Sequence, residues 1–346
     1  MIRIKDIAER AGVSVGTVDR VLHKRPNVSA PAREKVEQAL KEMNYQPNMY
    51  ASALAHNKSY TFYLFIPKHE QEAYWEEIEE GANKAMEARR DFHIDVRLVY
   101  YERFDDASFR QESKACLALQ PDGVIIVPAE PAVTQEFTDA MHEQGVPFVM
   151  LDSYLPALRP LSFYGQDSFS SGYFAARVLM MEAAGAQEIM LMKQTKNGSV
   201  VSKQQANREV GFRHYMETHY PEVSINEVNL PLDDTKDAYA AILEDYFTRH
   251  CITFGSKAHL VGEFLQRTNR ADVHIMGYDM VGKNAECLKK GSISFLIAQH
   301  AYQQGYSCVE ALFRTIVLKK EVQPVNYMPI ELIMKENIDF YRRTQL

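Results

Sequence analysis

The chain beyond Lys58 alternates between short apolar segments and longer amphipathic segments. The short segments are rich in β-branched and aromatic residues, and helical stretches of roughly 10 to 18 residues separate most of them. We predict nine strands, in TFYLFIP, HIDVRLVYY, GVIIVP, PFVMLDS, EIMLMK, SINEVNL, CITF, HIMGYD and ISFLIA. Because such alternation favours parallel strands with helices on both faces, the fold class predicted for this part is α/β.

This part of the chain, about 285 residues, is too long for one sheet of ordinary size. The piece SFYGQDS, which follows two nearby prolines, is predicted to be a crossing between two lobes. We place lobe 1 at about 60–164 and 299–325, and lobe 2 at about 166–297 and 327–343. The expected body is therefore two-lobed, with parallel sheets flanked by helices.

The beginning of the chain has the pattern of three short helices. The segment IKDIAERAG carries apolar residues at helical spacing and ends in Gly12, a helix-stop signal. Ser14 can cap a second helix that contains the apolar Val18. A third helix, with Ser29 as its predicted N-cap, runs through APAREKVEQALKEMNY and ends before Pro47. This spacing is typical of a helix-turn-helix.

Charge is distributed unevenly between the two parts of the chain. Residues 1–58 hold ten Lys/Arg against six Asp/Glu, whereas the remainder holds 29 against 40. A basic small domain supplies the phosphate attraction that DNA binding needs, and an acidic body would be repelled by the duplex. We predict a helix-turn-helix head over 1–46, a hinge helix or linker over 47–59, and the body over 60–346.

Several classes of protein are not supported by the sequence. The longest apolar runs fall far short of the ~20 residues that span a bilayer, and MIRIKDIAER lacks the apolar segment of a signal peptide, so we expect a cytoplasmic protein without a membrane partner. No nucleotide-binding, zinc or nucleophile-elbow motif is present, so we expect no catalytic residue, cofactor or metal. We expect buried free thiols at Cys116, Cys251, Cys287 and Cys308.

The stretch IKDIAERAGVSVGTVDRVLH resembles the head of the lactose-repressor/galactose-repressor family of bacterial regulators. The similarity continues through VSAPAREKVEQALKEMNYQPN and through NMYASALA, which resembles the family's hinge helix. In the body, GYD at 277–279 and LIAQHAYQQGYSCVEAL at 296–312 resemble the ribose-binding branch of periplasmic sugar-binding proteins. The resemblance implies a homodimeric repressor that binds a palindromic operator and is switched by a small sugar or sugar derivative.

The resemblance implies two groups of DNA contacts in the head. Base-reading positions are Val15, Gly16 and Arg20, and phosphate-contacting positions are Ser14, Thr17 and Ser29. Arg20 can donate to guanine O6 and N7, whereas Val15 can only touch a thymine methyl, so Arg20 should carry most of the direct readout. Gly16 would let the backbone approach the DNA closely.

Asp19 departs from the family, in which a serine is usual at this position. Its carboxylate could accept a hydrogen bond from cytosine N4, pair with Arg20 or Lys24, or hold His23. It could equally be a surface charge that reduces nonspecific affinity for DNA.

The segment NMYASALAHNK is too short to form a stable helix alone. Asn48 can cap it, and Ala51 and Leu54 would share one face. The resemblance implies that this helix orders when two copies pair in the minor groove, where Leu54 would wedge into the central base step.

The resemblance also implies an effector site in the body. Tyr74 and Trp75 match the family's aromatic pair, and aromatic rings can pack against the C–H surface of a sugar. The positions that match polar sugar contacts are Asp152, Arg208, Asp279 and Gln299. Departures from the family are Ser153, in place of a frequent arginine, and Gly255-Ser256-Lys257, in place of a common Asn-Asp. These departures leave the sugar's identity open, and Lys257 could favour an acidic or phosphorylated sugar.

Two other functions compete with this interpretation. An enzyme would need a catalytic motif, which the sequence lacks, and a transport binding protein would need an export signal in place of the basic head. An activator remains an alternative to a repressor, because the sequence does not show where the operator lies.

Overall fold

The computed structural model describes residues 3–22, 25–43, 45, 58–69, 74–196, 199–200, 202–231, 239, 241–244, 250–255, 257–269 and 273–343. The chain divides into two compact units, residues 1–57 and 58–346, which we call the head and the body. Most of the predicted hinge, including Asn48, Ala51 and Leu54, lies outside the described residues.

The head is a bundle of three helices: α1 (Ile4–Ala11), α2 (Val15–Leu22) and α3 (Ala30–Glu42). Its core contains the fully buried Ile7, Val18 and Val36, one from each helix. Gly12 ends α1 in the left-handed conformation, with a φ of 64°, and its N–H donates to the carbonyls at the end of the helix. A residue with a Cβ would be strained at this φ, so the predicted helix stop is confirmed.

The two predicted N-caps of the head differ in the structure. The Oγ of Ser14 accepts the N–H of Thr17 at 3.1 Å, which satisfies one of the unpaired donors at the start of α2. Ser29 occupies the N-cap position of α3, but its side chain makes no capping hydrogen bond. The predicted N-cap position of Ser29 is therefore confirmed, although α3 begins without a side-chain capping hydrogen bond. A proline within the first turn of α3, which has no N–H to satisfy, reduces the need for one.

The body contains two sheets in the described residues. The strands of the first sheet are β1 (Tyr60–Pro67), β2 (Ile94–Tyr101), β3 (Gly123–Ile126), β4 (Phe148–Leu151), β5 (Ser162–Gly165) and β12 (Val325–Tyr327). The strands of the second sheet are β6 (Glu188–Lys196), β7 (Ser199–Val200), β8 (Ser224–Pro231), β9 (Cys251–Thr253), β10 (Ile275–Tyr278), β11 (Phe295–Ala298) and β13 (Glu331–Ile333). The nine predicted strands are all present.

The two sheets have matching strand orders. The first is entirely parallel, in the order β12-β5-β4-β3-β1-β2. The second runs β13-β11-β10-β9-β6, with β8 parallel to β6, and its antiparallel members are β7 and β13. Each sheet forms one lobe, so the predicted two-lobed α/β fold class is confirmed.

Helices cover both sheets. In the body they are α4 (Tyr74–Ala88), α5 (Asp106–Ala118), α6 (Pro131–Gln144), α7 (Ser168–Glu182), α8 (Lys203–His219), α9 (Ala258–Thr268), α10 (Gly282–Lys290), α11 (Ala301–Leu312) and α12 (Ile338–Arg343). Among the described helices, none is long and apolar enough to cross a membrane. All four cysteines are buried, as predicted.

The structure narrows the predicted crossing at SFYGQDS to the residues after Gly165. Ser162–Gly165 is a strand, β5, which lies between β4 and β12, and Ser162 and Phe163 are buried. The crossing between the lobes begins only at Gln166. The chain crosses twice more, at residues 299–300 between β11 and α11, and at residues 328–330 between β12 and β13.

Among the described helices, each lobe has a pair whose backbones approach closely at a glycine. In lobe 2, a Cβ built on Gly172 of α7 would lie 1.8 Å from the carbonyl oxygen of Arg208 in α8. In lobe 1, a Cβ built on Gly81 of α4 would lie 1.9 Å from the carbonyl oxygen of Tyr302 in α11. Only glycine allows these backbones to approach so closely.

Candidate functional site

The predicted DNA-contacting side chains lie at the start of α2 and along its open face. Ser14, Val15, Gly16 and Arg20 are exposed, and Thr17 and Asp19 are half-buried. The exposed fraction of Val15 reaches 49%, which is high for a large apolar side chain that only supports the fold. His23 lies outside the described residues. The structure therefore brings most of the predicted contacts together on one accessible helix face.

Asp19 has a partner that the sequence analysis did not consider. Its carboxylate accepts a hydrogen bond from Nη1 of Arg25 at 3.1 Å, across the end of α2. Both side chains are more than a third exposed, so the pair contributes little to the stability of the head. The carboxylate of Asp19 therefore balances the charge of Arg25 beside the exposed face of α2.

The effector site predicted in the body lies at the carboxyl ends of the strands. Asp152 directly follows β4, and Asp279 directly follows β10, the strand at the matching position of the other sheet. Both residues have a φ of 69°, so the backbone turns in the same left-handed way at both strand ends. Ligands of open parallel sheets bind at these ends.

Tyr74 holds Asp152 from lobe 1. Its hydroxyl donates to the Asp152 carboxylate at 2.9 Å, and Nε2 of Gln304 donates to the same hydroxyl oxygen at 3.0 Å. The Trp75 ring packs edge-on against the Tyr74 ring at 5.0 Å. Tyr74 thus contributes a hydrogen-bonding hydroxyl, and Trp75, at the wall of the adjacent cavity, is the better candidate for a stacking surface.

Arg208 organises the polar groups of lobe 2. It donates to the carbonyl of Phe254 at 2.8 Å, to Oε1 of Gln204 at 3.0 Å, and to Oε1 of Gln299. Nε2 of Gln299 in turn donates to the Asp279 carboxylate at 2.5 Å. Arg208 and Asp279 therefore share Gln299 as an intermediary.

The two halves of the network meet directly. Nε2 of Gln204, on α8 of lobe 2, donates to the backbone carbonyl of Asp152 in lobe 1. One donor in the network is unused: the buried Nε of Arg208 has no hydrogen-bond partner among the described residues. A buried, unpaired donor on a cation is costly, and a ligand oxygen would satisfy it.

A cavity of ≈ 400 Å³ opens beside the network, within the size range of small-molecule sites. Its walls combine polar, charged and aromatic side chains from both lobes. They include Trp75, Tyr101, Glu102, Arg103, Phe104, Asp105, Asp106, Glu130, Asp152, Ser153, Ser202 and Lys203. Phe104 has a φ of 67°, which is unusual for a bulky residue, and its ring lies 5.0 Å beneath the Arg103 guanidinium.

Burial changes the titration of both acidic residues. It raises the pKa of Asp279 from its ordinary value to about 6, although nearby Arg208 and the hydrogen bond from Gln299 act in the opposite direction. Burial likewise raises the pKa of Asp152. The fold therefore disfavours the charged form of each carboxyl.

This shift predicts a pH dependence of stability. A carboxyl whose pKa is raised in the folded state adds stability that is fully present below pH 3.8 and is lost as the pH rises through about 6. We expect wild type to lose roughly 1–3 kcal/mol of unfolding free energy relative to Asp279→Asn between pH 4.5 and pH 7.5. Urea unfolding of both proteins at the two pH values measures this, and an equal pH response would contradict it.

Tyr74, Asp152, Arg208, Asp279 and Gln299 form one network, and Ser153 joins it by donating to Asp152 at 3.3 Å. Ser256 lies outside the described residues. Sequence reasoning missed Gln204 and Gln304, which complete the network, and Arg103, Phe104 and Lys203, which line the cavity. Gln204 precedes Arg208 by one helical turn, a spacing that could have revealed it.

Comparison with known proteins agrees with this architecture. A model described as bacterial regulatory proteins, lacI family, matches residues 3–48, and a periplasmic binding protein domain model matches residues 62–320. A ribose operon repressor of Halalkalibacterium halodurans is 26% identical over 97% of each chain. A structure classed as a LacI transcriptional regulator from Bacteroides fragilis is 41% identical, covers 82% of this chain and 100% of its own, and has a TM-score of 0.79.

A lower similarity supports the fold of the body alone. GanP, a glucose-galactose binding protein from Geobacillus stearothermophilus, is 21% identical, with a TM-score of 0.69 over 81% of this chain and 99% of its own. A helix-turn-helix head joined to a two-lobed binding body defines a ligand-sensing transcriptional regulator. The chain belongs to the lacI family of bacterial regulatory proteins, and its body matches a periplasmic binding protein domain.

Proposed function

We propose that this protein is a dimeric repressor of carbohydrate-utilisation genes, which binds a palindromic operator and is switched by a small sugar or sugar derivative. Two-fold protein symmetry calls for two-fold DNA symmetry, and one three-helix head makes too few contacts to be selective alone. Because operator DNA lies in the cytoplasm, the protein would act there. It would act by binding, without catalysis, metal or cofactor.

The unpaired Nε of the buried Arg208 is the observation that best supports a ligand between the lobes. Asp152 and Trp75 line the cavity, and the carboxylate of Asp279, buried in the other lobe, belongs to the same network. Hydroxyl pairs of a sugar bind well to such charged groups, and its C–H surface packs well on an aromatic ring. The ribose operon repressors among the relatives make D-ribose the first candidate to test.

A thermal-shift screen tests the effector proposal. The full chain is melted with D-ribose, other aldoses, sugar acids and sugar phosphates, since a ligand that binds only the folded state raises its melting temperature. Sugars that stabilise wild type but not Arg208→Met support the site. Equal shifts for both proteins would place binding elsewhere, and no shift for any sugar class would count against a sugar sensor.

Operator binding is tested in the same chain by selecting duplexes from a random pool. The proposal expects palindromic sequences, two protein chains per duplex, and affinity that falls steeply with salt because phosphate contacts release counterions. Salt-independent binding, or equal affinity for scrambled duplexes, would contradict it. Whether the selected duplex lies over or upstream of a promoter distinguishes a repressor from an activator.

Gly16→Ala tests close approach of the α2 backbone to DNA. The fold does not require glycine here, because an added Cβ would meet only Oγ of Ser14, at 3.8 Å. Alanine also favours helix by up to about 1 kcal/mol, so the head should be no less stable. We expect operator affinity to fall at least ten-fold by fluorescence anisotropy while the melting of the head is maintained. Unchanged operator affinity would show that the backbone stays clear of the DNA.

Asp19→Ser tests whether the carboxylate reads a base. Because Asp19 already engages Arg25, removal of the charge should free that cation for phosphate, and every duplex should bind a few-fold more tightly. Arg25→Ala in the same background is the control, since it should remove the gain. Weaker binding confined to one operator position would instead assign a base contact to Asp19.

A further inference from the structure

A chain of buried polar side chains leads away from the effector arginine. The guanidinium carbon of Arg208 lies 4.1 Å from the centre of the Tyr278 ring. The Tyr278 hydroxyl lies 3.0 Å from Oγ of Ser171, which donates to Oε1 of Gln166 at 2.8 Å. At most 3% of any of these side chains is exposed. We call Tyr278, Ser171 and Gln166 the relay.

The relay ends where the lobes are joined. Gln166 lies in the first crossover. Its Nε2 donates to the carbonyl of Ala298 at 3.1 Å, just before the second crossover, and to the carbonyl of Pro329 at 2.9 Å, in the third. A carbonyl can only accept, so the two hydrogens of the amide nitrogen must face both carbonyls. One carboxamide therefore ties the three crossovers together.

The direction of each hydrogen bond in the relay is fixed by its partners. Ser171 has one hydroxyl hydrogen, which it donates to Gln166. The Tyr278 hydroxyl must therefore donate to Ser171. Because every member is buried, no member can move without leaving a donor or an acceptor unpaired. The relay thus has one well-defined arrangement.

Arg208 reaches the second crossover by another route as well. It donates to Gln299, the first residue of that crossover, while the relay holds the preceding residue, Ala298, through Gln166. A ligand that pulls the guanidinium would therefore act on the same crossover from two sides. A ligand that contacts only Asp279 could reach Gln299 but not the relay, because the relay begins at the Arg208 guanidinium.

We propose that Tyr278, Ser171 and Gln166 are positioning residues that couple the state of Arg208 to the three crossovers, and hence to the angle between the lobes. This rests on the proposed function in which Arg208 contacts the effector. A desolvated cation is held firmly over an aromatic face, and a fully satisfied buried network favours discrete arrangements. The stacked Arg208–Tyr278 pair and the hydrogen bonds of the relay therefore provide the physical connection between Arg208 and the crossovers.

The test is amide hydrogen exchange of the full chain, without any sugar. The readout is the segment 326–330, in which the N–H of Met328 donates to the carbonyl of Gly165 at 2.8 Å. We expect Arg208→Met to accelerate exchange there at least ten-fold. In the Gln166→Met background, the same Arg208 substitution should add less than two-fold, because the connection is already cut.

A matched pair of serine variants separates coupling from general loosening. Ser171 and Ser162 are both fully buried, but Ser162 donates to the carbonyl of Gln323, accepts from Nδ2 of Asn326 at 3.0 Å, and makes no hydrogen bond to the relay among the described residues. Because Asn326 lies in the readout segment, this pair is compared at the amide of Met328, whose partner is the carbonyl of Gly165. The effect of Arg208→Met should persist in Ser162→Ala and disappear in Ser171→Ala. If Gln166→Met fails to fold, this pair carries the test.

Additive effects in the double variants, or unchanged exchange at 326–330 when Arg208 is replaced, would overturn the proposal. Because the experiment contains no sugar, its outcome is independent of the thermal-shift screen. A failed sugar screen with strong non-additivity would leave the relay standing and the proposed effector wrong. A successful sugar screen with additive exchange effects would support the proposed effector and overturn the coupling through the relay.

Discussion

Replacing Asp279 with alanine should lower the affinity of the body for its effector sugar by ten-fold or more while the head still binds the operator. The side chain is buried at the end of β10 and is held by Gln299. Charge-assisted hydrogen bonds to sugar hydroxyls contribute roughly 1.5–3 kcal/mol each, and about 1.4 kcal/mol corresponds to a ten-fold change in affinity. Calorimetric titration with the sugar identified by thermal shift measures the loss.

Two further variants make the result specific. Asp279→Asn keeps the size of the side chain and an acceptor oxygen, so it should recover part of the affinity. Asp122→Ala removes a partly buried carboxylate that serves Lys58 and the backbone of Thr61, and it should leave sugar binding unchanged. Wild-type sugar affinity in Asp279→Ala would remove this residue from the site.

The same variant determines the sign of the switch. Coupling between sugar and operator is reciprocal, so a sugar that releases DNA must bind the DNA-bound protein less well. If the sugar is an inducer, Asp279→Ala stays on the operator when sugar is added. If the sugar is a co-repressor, the variant fails to bind the operator at sugar concentrations that suffice for wild type.

Gly172→Ala should destabilise the body by about 1–3 kcal/mol, and by more if α7 and α8 cannot separate. The new Cβ would lie 1.8 Å from the carbonyl oxygen of Arg208, and a backbone atom cannot rotate away. Any movement of α8 also displaces Gln204 and Arg208, so sugar affinity should fall together with stability. Urea unfolding and sugar titration measure the two effects.

Gly81→Ala and Gly16→Ala are the controls for this substitution. Gly81 makes an equally close contact in lobe 1, so its variant should lose comparable stability. It is a control for stability only, because its two helices carry Tyr74 and Gln304 of the network. An added Cβ on Gly16 would make only an ordinary van der Waals contact with Ser14, so the fold should tolerate alanine there. A Gly172→Ala protein as stable as wild type would mean that the two helices are not held at this distance.

Central strands such as β3 could be identified because a strand buried on both faces is an uninterrupted apolar run, as in GVIIVP. The edge strand β2 could be identified because buried and exposed residues alternate at its start. The missed strands lack that signal. β5 contains Ser162 and Gly165, and its burial depends on β12, which is more than 150 residues away. β12 and β13 are three-residue edge strands whose pairing is set by the third crossover. Such long-range pairing leaves no local periodicity.

The residues of the candidate site that directly follow a strand could be predicted from the sequence. Asp152 and Asp279 directly follow apolar runs, so their place could be inferred from the sequence. Gln204 and Gln304 lie within helices, and their partners come from other parts of the chain. The Arg25 partner of Asp19 was missed because it follows the end of α2, where helical spacing no longer applies.

Each crossover carries the chain from a strand of one lobe to the next element of the other lobe. The first carries the chain from β5 into α7, which covers lobe 2, and the second carries it from β11 into α11, which packs on α4, β4 and β5 of lobe 1. A fragment that ends at residue 165 would therefore lack both α11 and β12 and would expose the apolar face of its sheet. Each lobe is completed by a segment that the chain reaches only after it has passed through the other lobe. The body should therefore unfold in a single cooperative transition. A protease cut inside either lobe would then lead to degradation of the whole sensor, and no half-sensor would persist to occupy DNA without regulation.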